Sequence, residues 1–213
     1  MSFKKNIKDL ILDSWKYQYA EINDSKKSIE KKKPIMFFTN YQLILIVISI
    51  VFIFLSNKGF SNEFAGFAIT GLSLFVGVFF TFVLTLYSKF QTIDFEKYKS
   101  NTSLLPIGVR LKNFYTKVTV LSLYTILLAL ICIVLISITL LFDFFKFDLS
   151  TTTFVINKDS IDFVLTLKSI LIISYRGITM YFLLNFILIA VYLIGALYDF
   201  IISDYQKVKL KKD

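Results

Sequence analysis

Four stretches of the chain carry no formal charge: Pro34 to Asn57, Phe64 to Ser88, Val118 to Phe142 and Gly177 to Tyr198. The segments between them hold almost every Lys, Arg, Asp and Glu. The shortest stretch has 22 residues. At about 1.5 Å per helical residue it reaches about 33 Å, enough to cross a hydrocarbon core of roughly 30 Å. The pattern predicts an all-α integral membrane protein, a four-helix transmembrane bundle with spans at 35–57, 64–88, 118–142 and 171–202.

Within the spans, the polar and small positions predict which faces meet. Asn185 lies near the middle of the fourth apolar stretch, where no water can satisfy its amide. It should point at other helices, with Tyr181, Leu188, Tyr192 and Gly195 on the same stripe at steps of three and four. Gly66, Thr70, Ser73, Gly77 and Thr81 form a small-residue stripe on the second span. Ser122, Thr125, Ala129, Cys132 and Thr139 form another on the third. Small residues let helix backbones approach in lipid, so these stripes are candidate packing surfaces or, alternatively, pore-lining ones. On this reading Gly77→Leu disrupts packing more than Asn185→Leu. The first span offers only Gln42, Ser49 and Ser56 on one face and is expected to be the most lipid-exposed.

The segments outside the spans have their own patterns. In the arm, 1–34, Phe3, Ile7, Leu10, Ile11, Trp15 and Ile22 recur at helical spacing, with Lys4, Lys5, Lys8, Asp9 and Lys16 largely opposite. This predicts an amphipathic helix, lying on the inner membrane face with Trp15 at the headgroups or packed on the middle loop. That loop, 89–117, has a break at Leu104-Leu105-Pro106-Ile107-Gly108 and carries Phe90, Phe95, Tyr98, Phe114 and Tyr115, expected to be exposed among basic residues. In the connection 143–170, the runs Thr151 to Ile156 and Ile161 to Leu167 flank the polar Asn157-Lys158-Asp159-Ser160, which predicts a small extracytoplasmic β-hairpin. A tail, 203–213, ends the chain.

Composition agrees: 56% of residues are apolar and 17% aromatic. The net charge is +9, but its distribution assigns the basicity to topology. Nine Lys precede the first span, six Lys and Arg lie in the middle loop and four in the tail, against one and three in the other two connections. The positive-inside rule then places both termini in the cytoplasm and the chain in an inner membrane. Lys31, Lys32 and Lys33 read as a stop signal beside the first span, and with Arg110 and Lys112 they are candidate contacts for anionic lipid headgroups or for a partner. Aromatics beside cations also suit nucleic acid, yet an interface-hugging loop has the same make-up, so direct nucleic-acid binding is not the favoured reading.

The chain has no histidine and a single cysteine, Cys132. This removes the commonest general base, the Ser-His and Cys-His pairs, internal disulfides and the usual zinc ligands. With no phosphate-cradling glycine loop either, no catalytic, cofactor-binding or metal site is assigned, and a non-enzymatic role is expected. Arg176 and Asp199 flank the fourth stretch and are candidate interface charges, Arg176 as an outer anchor reaching headgroups.

In its layout, with the basic arm ending in Lys31-Lys32-Lys33 and four spans across 34–202, the chain resembles the small four-span membrane proteins of bacterial antiphage loci. Among these are the accessory proteins found beside the RNA-targeting nuclease of type VI-B CRISPR systems. The resemblance implies an antiviral accessory that modulates or anchors a cytosolic nuclease, and it carries over no functional residue. Two other readings stay open. One is a pore-forming effector, assembled as a homo-oligomer, with Asn185 and the Ser and Thr stripes facing a channel. The other is an immunity or structural membrane protein using the outer hairpin.

Overall fold

The computed structural model describes residues 3–19, 40–55, 59–100, 104–142, 148 and 163–209. They form six helices: α1 (Phe3–Tyr19), α2 (Asn40–Leu55), α3 (Asn62–Gln91), α4 (Phe95–Lys99), α5 (Leu105–Leu141) and α6 (Phe163–Lys209). Among the described residues there is no strand. Three helices, α3, α5 and α6, are long and apolar enough to cross a membrane. The 16 residues of α2 belong to the first charge-free stretch, whose remaining residues, Ser56 among them, lie outside the described residues.

The expected hairpin is corrected where it can be seen. Residues 151–162 lie outside the described residues, but Phe163 to Leu167 open α6 rather than form a strand. That short run of strand-favouring residues runs on through Lys168 and Ser169 into the apolar Ile170 to Ile173, and extending an existing helix gains a hydrogen bond for each residue added. The break expected in the middle connection is present: α4 ends at Lys99 and α5 opens at Leu105. Pro106 occupies the first turn of α5, where its missing N–H has no helical partner to lose. At 37 and 47 residues, α5 and α6 run about 55 and 70 Å, well beyond one bilayer core.

Helix starts follow local chemistry. The Ser61 hydroxyl accepts from the Phe64 N–H at 3.1 Å and caps α3. Asp94 accepts from the Glu96 and Lys97 N–H groups at 3.1 and 3.4 Å and caps α4.

The chain divides into two compact units, to both of which α3, α5 and α6 contribute. The first comprises residues 1–33, 77–127 and 187–213. Its core holds Phe114, Val118, Leu121 and Tyr124 of α5 with Leu193 and Ala196 of α6. Ser14 of α1 is buried too, its hydroxyl donating to the Ile11 carbonyl at 2.8 Å. On α1, Ile7, Leu10, Ile11 and Trp15 are half-buried and Lys4, Lys5, Lys8, Asp9 and Lys16 exposed, but Lys4 and Lys8 share a side with Ile7, Ile11 and Trp15 rather than standing opposite them.

The second unit comprises residues 34–76 and 128–186. Leu128, Ala129, Cys132 and Ile136 of α5 pack with Ile172 and Phe186 of α6, and Phe75 of α3 meets Phe186 edge to face at 5.5 Å. Here α2 buries Gln42, Ser49 and Ile53, so its sparse polar stripe faces inward. Ile53 seats on α6 where Gly177 has no side chain; a Cβ there would lie 2.8 Å from the Ile53 Cδ1.

Of the three long helices, α3 is the least buried. Phe67, Leu74, Val78, Phe80 and Leu84 stand exposed on it, and Ile44, Val47 and Val51 on α2. Exposed apolar surface on this scale suits a lipid environment rather than water.

Candidate functional site

In the first unit, the middle connection is a folded piece rather than a loop. The five-residue α4 packs across the start of α5, over Gly108, where a Cβ would fall 2.6 Å from the Cβ of Tyr98. The aromatic side chains expected to be exposed instead form a cluster. Phe90 meets Phe95 at 5.1 Å and Tyr115 at 5.8 Å, and Phe95 meets Tyr98 at 6.4 Å. Phe114, 2% exposed, stacks on Phe200 of α6 at 3.7 Å. Rings that touch in this way bury large apolar areas, and with Tyr115 against Phe200 the cluster ties α3, α4, α5 and α6 into one body. Of the basic residues here, Lys112 is exposed and Arg110 half-buried.

Next to this cluster is a cation that the sequence reading treated only as the end of a loop. Lys117 is buried, and its Nζ lies 5.1 Å from the centroid of the Tyr192 ring, a cation–π contact between α5 and α6. Tyr192 is itself partly exposed and serves as that cation's platform rather than as part of an Asn185 stripe.

In the second unit the notable cation is Arg176. The expected headgroup anchor is 3% exposed. Its guanidinium lies against Gly59, in the link between α2 and α3, and Asp148, beyond α5, is in electrostatic reach. Gly59 has φ 77°, in the left-handed region that other residues enter only with strain. A Cβ on it would stand 2.7 Å from Nε, Cζ and Nη2 of Arg176. The inward orientation has a physical reason: the planar guanidinium lies against a residue with no side chain, with the half-exposed Asp148 as a nearby opposite charge.

Below Arg176 along α6, Tyr175 donates its hydroxyl hydrogen bond to the Leu135 carbonyl of α5, which also accepts from Thr139 at 3.3 Å. Thr179, fully buried, donates to the Tyr175 carbonyl at 2.9 Å. Asn185 is buried, yet its Oδ1 accepts no hydrogen bond. Its proposed stripe is corrected: Tyr181 and Leu188 are half-buried and Gly195 exposed, whereas Thr179, Phe186, Ile189 and Leu193 make up the buried face. The α6 face is set by where α5 lies, which one amide cannot report.

The α3 stripe does not pack within the chain, which leaves it to the oligomer-contact or pore-lining alternative. Gly66, Thr70, Ser73, Gly77 and Thr81 are all exposed, and a Cβ at Gly66 or Gly77 would meet nothing within 4 Å. Ala65, Leu72, Val83 and Leu86 form the buried side instead, about half a turn away. Thr70 and Thr81 satisfy their hydroxyls on the carbonyls of Gly66 and Gly77, at 2.9 and 3.0 Å, with no neighbouring helix needed. On α5, by contrast, Ser122, Thr125, Ala129, Cys132 and Thr139 are all buried. Ser122 Oγ has no hydrogen-bond partner, and Thr125 donates to Leu121 at 2.8 Å. Asp199 is exposed, and Lys31, Lys32 and Lys33 lie outside the described residues.

The residues that sequence reasoning missed are Gly59, Lys117 and Tyr175. Gly59 had a signal, since Asn57-Lys58-Gly59 is a turn-forming string between two apolar runs. Among the described residues no three His, Cys, Asp or Glu side chains come together as a metal site. Comparison with protein families, with curated proteins and with solved structures finds no match for this chain.

Proposed function

We propose that the chain is a non-enzymatic, multi-pass inner-membrane protein that presents a folded platform at the cytoplasmic face to a cytosolic protein. The observation that carries this reading is the aromatic body of the first unit, in which α4 and the early turns of α5 pack on α3 and α6 through Phe90, Phe95, Tyr98, Phe114, Tyr115 and Phe200. Anchorage alone needs only apolar spans; a built body beside them is what a docking function needs. In this reading α2 is the fourth span of the bundle, completed by its flanking apolar residues, and the lysine distribution keeps both termini inside. The layout resemblance makes a cytosolic antiviral nuclease the first partner to look for.

The pore reading is less favoured: the α3 stripe is open to a second copy, but Ser122, Thr125 and Asn185 are buried within one chain and would have to turn outward to line a channel. The decisive experiment is mild-detergent purification of the tagged protein from its native host, followed by mass spectrometry. A cytosolic protein in stoichiometric amount, lost on combined Lys97→Glu, Arg110→Glu and Lys112→Glu substitution, is the expected result. Recovery of the chain alone, as a defined conducting oligomer, would overturn the docking reading.

A further inference from the structure

Along one side of α1 runs a groove lined by Lys4, Ile7, Lys8, Ile11, Leu12 and Trp15. Lys4 and Lys8 stand one helical turn apart, so their ammonium groups project to the same side, with Trp15 at an intermediate angle. The carboxylates of this helix lie elsewhere. Asp9 is on the far side, and Asp13 is held by Lys16 at 2.6 Å. The groove therefore combines two cations not offset along their own helix with an apolar wall ending in an indole.

That combination selects its occupant. A soluble anion would satisfy the lysines and leave Ile7, Ile11, Leu12 and Trp15 against water. An apolar peptide would cover the wall and leave the charges without a counterpart. An anionic phospholipid meets both needs, and tryptophan beside lysine is the pairing that settles at the boundary between headgroups and acyl chains. Supply is not limiting, because α1 is joined through residues 20–39 to the apolar α2. We propose that this groove is a binding site for one anionic phospholipid, its phosphate at Lys4 and Lys8 and its glycerol and first acyl carbons on Ile11, Leu12 and Trp15. The site stands independently of any docked protein.

Trp15 is the chain's only tryptophan, so its fluorescence reports this groove alone. The full-length protein is reconstituted in phosphatidylcholine nanodiscs containing phosphatidylglycerol, with bromine placed on the acyl chains of one lipid or the other at equal mole fraction. Brominated phosphatidylglycerol should quench Trp15 several-fold more than brominated phosphatidylcholine. Lys4→Gln with Lys8→Gln should remove that selectivity and weaken the apparent lipid affinity about thirtyfold, from roughly fivefold per lysine at an anionic surface. Both lysines are exposed and Gln is a comparable helix former, so the helix should persist. The charge-matched Lys5→Gln, Lys16→Gln variant, at two lysines that do not line the groove, should keep full selectivity. Equal quenching by both lipids would mean simple immersion in the interface and overturn the site. So would no quenching by either, which would mean that protein, including a second copy, covers the groove. Loss of selectivity in the Lys5→Gln, Lys16→Gln variant, or its retention without Lys4 and Lys8, would equally refute the assignment.

Discussion

Gly59→Ala should destabilise the second unit, for two separable reasons. The backbone term comes from φ 77°, where a Cβ costs about 1–2 kcal/mol. The packing term comes from placing that Cβ 2.7 Å from three guanidinium atoms of a buried arginine, an overpacking cost of about 1–3 kcal/mol. Together they amount to roughly 2–5 kcal/mol, or about 4–20 °C in melting temperature for a chain of this size. Cys132 gives a direct readout. It is the only cysteine and fully buried in the same unit, so a fluorogenic thiol reagent labels it as that unit opens on heating in detergent. Gly66→Ala is the matched control, at a helical site with nothing within 4 Å, and should be neutral or up to about 1 kcal/mol stabilising. Arg176→Ala separates the terms: in that background Gly59→Ala should retain only the backbone cost. If Gly59→Ala melts with Gly66→Ala, or costs the same with and without Arg176, the guanidinium does not rest on Gly59.

The remaining expectations use the same readout or proteolysis. Gly77→Leu should leave the fold of a single chain within about 0.5 kcal/mol of wild type, since its side of α3 is open. A large loss in a monomeric preparation would show that the stripe is packed after all. Asn185→Leu should be neutral or about 1 kcal/mol stabilising, because the amide oxygen it removes is buried without a partner, and marked destabilisation would reveal an acceptor role. Gly108→Val should displace α4 from α5 at a cost of about 1–3 kcal/mol and make the chain near Tyr98 sensitive to limited proteolysis, while an unchanged digest would refute that contact. Tyr175→Phe should cost about 0.6–1.7 kcal/mol, the range for one interhelical hydrogen bond in lipid, and no change would mean that the bond to Leu135 is not made.

Where the long helices lie was legible in the sequence; which way they face was not. Charge-free length is a one-dimensional property, and α3 and α6 each enclose one of the expected stretches, α5 all of another but Phe142. Facing is different, because lipid and protein interior are about equally apolar and the contrast that orients a helix in water is missing. Thus Leu128 is buried and Leu130 exposed on α5 although nothing in their identities separates them. Small residues did no better as a guide: the α5 stripe is buried and the chemically similar α3 stripe is exposed. The contact of Arg176 with Gly59 joins helices far apart in sequence, so only the turn at Gly59 was visible beforehand.

Hydroxyl groups show why residue type carries so little about packing here. A threonine in a helix can donate to the carbonyl one turn back, as Thr70, Thr81 and Thr85 do at 2.9–3.0 Å on the exposed side of α3. So satisfied, it is content beside lipid and exerts no pull on a second helix. A tyrosine hydroxyl lies too far from its own backbone for that bond and must find a partner elsewhere, as Tyr175 does at Leu135. In such a chain the side chains that reveal contacts are therefore those with polar groups at the end of a long stem, Tyr175, Arg176 and Lys117 among them. Serine and threonine stripes, the more obvious signal, mark only where a backbone could come close.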